Sequence, residues 1–218
     1  MENKKKSSII KDAMALFSIT LVAALALGFV YEITKDVIAK REAEVKAAAY
    51  VAVYEQAKLV DDTNEELNQR VADSKEFLLE KGFKHTTIEE VCVAKDENQK
   101  AIGYVMTVTS HEGYAGDIKL SLGVKADGTV TKIEILSIKE TAGLGMEAQN
   151  ESFKSQFDNV KTDAFSVINS KAAKNSDKEI NAISSATITT NAVTNSVNAG
   201  LAFAYELLDQ GIGGVVRE

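Results

Sequence analysis

Four hydroxyl side chains crowd into one stretch of six residues, Ser184-Ser185-Ala186-Thr187-Ile188-Thr189. The stretch runs straight into Val193, Val197, Leu201, Tyr205 and Leu208. Their spacing by three and four predicts a helix with one buried face. Hydroxyl-rich residues at a helix entry point to one of two chemistries. A Ser or Thr oxygen accepts a hydrogen bond from a first-turn N–H and caps the helix. Alternatively, the first-turn N–H groups and the helix dipole form a seat for an anion such as a phosphate. Spacing alone leaves both readings open.

Two further stretches carry candidate chemistry. Gly143-Leu144-Gly145-Met146-Glu147-Ala148 fits the dinucleotide pattern G-x-G-x-x-A, and Asp163 lies where a ribose-binding acid falls. Against a nicotinamide site, Lys139 to Ala142 separate the preceding strand from the first glycine, whereas the dinucleotide turn starts at the strand end. His111-Glu112-Gly113-Tyr114-Ala115-Gly116 reads as a tight turn between strands that presents an aromatic face. His111 and Glu112, as neighbours on a strand, point to opposite faces and form no acid–base pair. No nucleophile elbow, zinc-protease helix or phosphate-cradling loop occurs, so hydrolase and nucleotidase readings have no support.

Composition narrows the field. A single cysteine, Cys92, excludes an intrachain disulfide, a four-cysteine iron–sulfur cluster and a c-type haem site. Cys92 sits in a Val-rich run and reads as a small buried hydrophobe. With only His85 and His111 besides, no transition-metal site is expected. An electron carrier in this chain is therefore organic or borrowed. The net charge of −7 argues against nucleic acid as a partner.

The elements that position these residues follow from periodicity. Helices are predicted over Glu65–Glu80, ending at Lys81-Gly82, and near Glu147–Phe157. Strands are predicted at Ile88–Ala94, Gly103–Thr109, Ile118–Val124 and Val130–Ile138, with an Asp127-Gly128 turn. Val91, Val93, Val105 and Val108 are expected core positions, and a short apolar run covers Phe165–Ile168. Strands grouped together and then helices indicate an α+β domain over residues 61–218, with an antiparallel sheet flanked by helices. The final Gly211-Ile212-Gly213-Gly214 segment reads as a flexible tail.

Ahead of that domain, Ala13 to Tyr31 carry no charge, with Ser18 and Thr20 the clearly polar side chains. At about 1.5 Å per residue this run covers the roughly 30 Å of a bilayer's hydrocarbon. It exceeds a signal peptide's usual apolar core, and Tyr31-Glu32-Ile33-Thr34 is a poor cleavage site. The expected organisation is a stub over 1–12, a membrane helix over 13–33 and an Ala/Glu/Lys-rich helical stalk over 34–60. Lys4, Lys5, Lys6 and Lys11 precede the span and Lys35, Lys40, Arg41 and Lys46 follow it, so the positive-inside count is tied. The compact Lys4–Lys6 cluster favours a cytoplasmic N-terminus.

Taken together, three stretches resemble one family. Ser184–Thr189 is similar to the flavinylation motif S/T-G-A-T-x-T of covalent FMN-binding domains. Glu140-Thr141-Ala142-Gly143-Leu144-Gly145 resembles their E-T-P-G-L-G segment, and Gly113-Tyr114-Ala115-Gly116-Asp117-Ile118 their G-Y-x-G-P-I turn. One membrane helix before such a domain resembles the layout of G subunits of Rnf complexes. The C subunit of the sodium-pumping NADH:quinone oxidoreductase is similar but usually longer. The resemblance implies an electron-transfer subunit of an ion-translocating ferredoxin:NAD oxidoreductase, without a catalytic acid or base of its own. Its partners would be the A, B, C, D and E subunits, and a flavin transferase for maturation. The domain would lie on the extracytoplasmic side of the cell membrane. The alternative is a stand-alone extracytoplasmic electron-transfer or sensory module.

The implied cofactor is FMN esterified through its phosphate to Thr189. Ser184, Ser185, Ala186, Thr187, Glu140, Thr141, Gly143, Leu144, Gly145 and Tyr114 would surround it. Leu144 and Met146 would pack the isoalloxazine, and Glu140 and Thr141 would meet its polar edge. Four residues depart from the family pattern: Ser185 replaces a Gly, Asn181 an upstream Asp, and Ala142 and Asp117 each a Pro.

Overall fold

A computed structural model describes residues 2–61, 63–169 and 171–217. The chain divides into two compact units, Met1–Val45 and Lys46–Glu218.

One continuous helix, α1, runs over Glu2–Val53. From Ile9 onward it is long and apolar enough to cross a membrane. Leu16, Phe17, Leu25 and Phe29 stand exposed along it, as suits a lipid-facing surface. The two clearly polar side chains of its apolar stretch bond within the helix: the Ser18 hydroxyl donates to the Met14 carbonyl at 2.8 Å, and the Thr20 hydroxyl to the Leu16 carbonyl at 3.0 Å. The helix ends at Val53, short of the stalk's expected end at residue 60, because Tyr54 turns into the core and the chain enters a strand.

The second unit is an α+β domain. A six-stranded antiparallel sheet is ordered β1 (Leu59–Asp61), β2 (Thr86–Lys95), β3 (Ala101–Ser110), β4 (Ile118–Lys125), β5 (Thr129–Ile138) and β6 (Val160–Lys161). The four long strands fall where the β-branched runs predicted them. The short edge strands β1 and β6 carry too few residues for a period to register. Between β1 and β2 lies α2 (Glu65–Glu80), capped by Asn64, whose Oδ1 accepts from the Leu67 N–H at 3.1 Å.

Alternation along the strands sorts side chains to two faces. Val91, Val93, Tyr104, Met106, Val108, Leu120 and Leu122 join the main core with α2 and the last helix, α4 (Thr187–Gln210). Gly200 lets α4 approach this face, since a Cβ there would lie 2.6 Å from the Leu122 side chain. Cys92, Ala94 and Val105 belong to a second cluster beneath Tyr50, Val53 and Tyr54. Val105 is thus buried, as expected, but on the opposite face from Val91, Val93 and Val108. Tyr50 donates to Glu90 Oε2 at 2.8 Å and shares a hydrogen bond with Thr107 at 2.9 Å, while Lys46 pairs with Glu90. Burial pushes the Tyr50 phenol far above its ordinary range.

Between β5 and α4 the structure corrects one expectation, and after α4 another. The predicted helix at Glu147–Phe157 is three short pieces: a 3₁₀ turn over Gly145–Gln149, the single-turn α3 (Glu151–Lys154) and a second 3₁₀ turn over Ser155–Phe157. Extended Asn150 (ψ 143°) interrupts the helical hydrogen bonding. A two-stranded parallel pair follows, β7 (Ser166–Ile168) with β8 (Glu179–Asn181). The C-terminal Gly211–Gly214 segment is packed, not loose. The Tyr104 hydroxyl donates to the Ile212 carbonyl at 2.6 Å, and Ile212 and Val215 are buried.

Candidate functional site

Three segments distant in sequence meet at one end of the sheet. The first is the β3–β4 turn, the second the Glu140–Gly145 loop after β5, and the third the entry to α4. Together they enclose a cavity of about 520 Å³ lined by Tyr114, Glu140, Thr141, Leu144, Gly145, Ser185, Ala186, Thr187, Ile188 and Thr189. That lies within the range of small-molecule and cofactor sites.

Glu140 joins the first two segments. Its Oε1 accepts from the Tyr114 N–H at 2.7 Å and the Ala115 N–H at 3.4 Å. The loop then folds over Thr141, whose carbonyl accepts from the Leu144 and Met146 N–H groups at 3.1 and 3.2 Å. Gly145 joins the second segment to the third. A Cβ at Gly145 would sit 2.7 Å from Thr189 Oγ1 and 2.7 Å from the Glu140 Cβ. Only glycine permits this approach. The β3–β4 turn is also tied to α4, since the Asn195 amide donates to Glu112 Oε2 at 3.0 Å. His111 faces elsewhere, pairing with Asp117 at 3.0 Å and Thr87 at 3.1 Å.

The entry to α4 differs from a simple capped helix. Ala186 occupies the cap position and no side chain caps the helix. The hydroxyl-cap reading of Ser184–Thr189 is therefore overturned. Instead, a turn closed by the Ala186 N–H on the Ile183 carbonyl (3.0 Å) precedes the helix. Ser185 stands third in that turn at φ 61°, where a type II turn needs a left-handed residue. Thr190 braces the junction: its hydroxyl accepts from the Ile183 N–H and donates to the Ala186 carbonyl, each at 3.0 Å. The first intrahelical bond runs from the Thr190 N–H, so those of Thr187, Ile188 and Thr189 precede it. Thr189 lies within the first turn, 2% exposed, and lines the cavity.

The cavity walls combine this polar seat with apolar surface. Tyr114, Leu144 and Ile188 are 72%, 38% and 53% exposed. Ile188 gives no signal in the sequence, because it occupies the variable position of the threonine motif. Gly143 and Ser184 line an adjacent cavity of about 340 Å³ with Glu147, Phe153, Gln156 and Asn181. Met146 does not line the Thr189 cavity but packs, partly buried, against the main core. Among the described residues, no cluster of His, Cys, Asp or Glu fits a metal.

The dinucleotide reading of Gly143–Ala148 also falls. The strands before it are antiparallel, and the glycines lead into a 3₁₀ turn, not into the crossover helix of a βαβ unit. Of the departures from the family pattern, Asn181 has a physical reason in this fold. Its side-chain amide donates to the Asn169 and Ala172 carbonyls at 3.2 and 2.9 Å, bonds that an ionised Asp has no proton to make.

These features fit a phosphorylated, partly apolar cofactor: an anion seat at a helix start, a hydroxyl beside it and aromatic and aliphatic walls. The fold and site define an FMN-binding domain, and the family model for the FMN-binding domain matches residues 113–202. The similarity extends over most of the chain. The G subunit of the proton-translocating ferredoxin:NAD(+) oxidoreductase complex of Clostridium ljungdahlii is 31% identical over 194 residues, covering 86% of this chain and 90% of that one. The G subunit of the Na(+)-translocating complex of Acetobacterium woodii is 32% identical over 216 residues, covering 92% and 96%. The chain belongs to the family of G subunits of ion-translocating ferredoxin:NAD(+) oxidoreductase complexes. Among solved structures, NqrC of Shewanella oneidensis overlays 54% of this chain and 59% of its own, at 18% identity and a TM-score of 0.47.

Proposed function

We propose that this chain is the electron-transfer flavoprotein subunit of a membrane-bound, ion-translocating ferredoxin:NAD oxidoreductase, with FMN joined through its phosphate to Thr189. The single observation that carries the attachment is the Thr189 side chain. It lines the cavity beside the uncapped start of α4, whereas the Thr190 and Thr194 hydroxyls are engaged in backbone hydrogen bonds.

When bound, FMN supplies electron exchange with neighbouring carriers. The chain's own residues supply binding and orientation. The first-turn N–H groups of α4 and its dipole favour the phosphate by about 0.3–1 kcal/mol, and none of the residues lining the cavity is basic. Tyr114, Leu144 and Ile188 offer apolar contact to a ring system. No Lys, His or Asp neighbours Thr189 in sequence to activate its hydroxyl, so a separate flavin transferase provides that chemistry.

Residues 13–33 cross the membrane in this reading, with the N-terminus in the cytoplasm and the flavin domain on the extracytoplasmic side. The other subunits of the complex are its partners. Protease treatment of intact cells against inverted vesicles tests the sidedness, with cleavage of the domain expected in intact, wall-permeabilised cells only.

Intact mass and in-gel flavin fluorescence under denaturing conditions test the attachment, using protein from a host that has the transferase. The wild type is expected to carry one FMN and Thr189→Val none. Covalent flavin on Thr189→Val would assign the wrong hydroxyl, and an unmodified wild type would remove the covalent reading altogether.

A further inference from the structure

Glu140 lies at the junction of all three segments, yet the geometry engages its carboxylate with protein backbone. Oε1 accepts two main-chain N–H groups of the β3–β4 turn, from Tyr114 and Ala115. The same oxygen lies 3.1 Å from where a Cβ on Gly113 would stand. Below the carboxylate, the Cβ and Cγ of Glu140 back onto Gly145, with a virtual Gly145 Cβ falling 2.7 and 2.9 Å from them. On its other side that virtual atom meets Thr189 Oγ1 at 2.7 Å. One side chain therefore spans from the aromatic turn to the glycine that abuts the threonine hydroxyl.

We infer that Glu140 is a positioning residue for the modification of Thr189, acting through the reach of its Oε1 acceptor and the packing of its stem. The inference rests on Thr189 as the attachment site. Its carboxylate pins the β3–β4 turn, and that anchor holds the stem against Gly145. Gly145 in turn fixes the wall beside the Thr189 hydroxyl. The role requires an sp² oxygen at the end of a two-methylene chain and does not require a charge. Glutamine meets that requirement. Aspartate keeps the charge but is shorter by about 1.5 Å, which takes the 2.7 Å bond beyond hydrogen-bonding distance.

The two substitutions separate reach from charge. Full-length Glu140→Gln, Glu140→Asp and Glu140→Ala are co-expressed with a flavin transferase, and covalent flavin is followed over time by in-gel fluorescence and intact mass. Glu140→Gln is expected to load within about threefold of wild type, and Glu140→Asp and Glu140→Ala at least about tenfold more slowly. Faster loading of Glu140→Asp than of Glu140→Gln would overturn the inference, because it would make the charge the working property.

A second readout needs no flavin. In the Thr189→Val background, amide hydrogen exchange at Tyr114 and Ala115 is expected to speed up about tenfold in Glu140→Asp and Glu140→Ala and to stay near wild type in Glu140→Gln. Equal exchange in all variants would overturn the inference. A wild-type chain that takes up no flavin refutes the Thr189 attachment instead, and the exchange series still judges Glu140.

Discussion

Replacing Ser185 with glycine should stabilise this protein, although the change removes a side chain. Ser185 is held at φ 61° in the turn before α4. An L-residue with a Cβ in the left-handed region is disfavoured by roughly 1–2 kcal/mol. Glycine relieves that strain but gives up about 0.5–1 kcal/mol through its greater freedom in the unfolded chain. The net expectation for Ser185→Gly is a gain of about 0.5–1 kcal/mol. For a domain of this size that raises the melting temperature by about 1–4 °C. Thermal unfolding of the full-length protein in detergent measures the shift, and urea unfolding checks that the m-value is unchanged. Ser185→Ala supplies the control: Ser185 is exposed, so losing its hydroxyl while keeping the Cβ should move stability by less than about 0.5 kcal/mol. A destabilised Ser185→Gly, or a Ser185→Ala that rises as much, would refute the backbone-strain account.

Gly145→Ala introduces a Cβ 2.7 Å from both Thr189 Oγ1 and the Glu140 Cβ, so about 1–3 kcal/mol of stability and most flavin loading should be lost. Normal melting and normal fluorescence in that variant would show slack where the structure has contact. Gly143→Ala is the matched control. Gly143 stands at φ 73° with open space around it, so the variant should lose a net of about 0.5–1 kcal/mol, the left-handed cost less the entropy that alanine saves in the unfolded chain, yet still take up flavin. Near the start of the sheet, the Lys95 ammonium, followed by the Thr63 hydroxyl and N–H, holds the Asp61 carboxyl well below the usual carboxylate range. A depressed folded-state value means stability that is present above about pH 4 and lost as pH falls through that value. Asp61→Asn should therefore lower stability at pH 7 and flatten its acid-side dependence in unfolding curves measured from neutral pH down to about pH 2. An unchanged slope would refute the contribution of this pair.

Much of the scaffold is legible in the sequence, and its exceptions have identifiable physical causes. The long strands announce themselves because runs of eight to ten residues rich in β-branched and aliphatic side chains are bounded by turn residues. The helix near 147–157 misleads because its composition suits a helix, while extended Asn150 and the packing of Phe153 and Phe157 into the core break it into turns. The glycine-rich C-terminus looks like a tail because local composition cannot reveal that Ile212 and Val215 join the main core, with the Ile212 carbonyl tied to Tyr104. Similarly, Lys46–Tyr54 reads as stalk, since nothing local says that Tyr50, Val53 and Tyr54 cover the second face of the sheet.

For the site, the sequence by itself determined the membrane-length apolar helix, the α+β class and the three motifs. These are properties of period, length and local residue type, which need no partner to be read. The tertiary structure alone decided that the hydroxyls of Ser184–Thr189 do not cap α4, that Gly143 and Ser184 face a neighbouring cavity, and that Glu140 binds backbone. Those outcomes depend on which segments, as far apart as Tyr114 and Thr189 are in sequence, come within a few ångströms of one another. Hydrogen bonds and van der Waals contacts act only at such distances, and folding creates those distances.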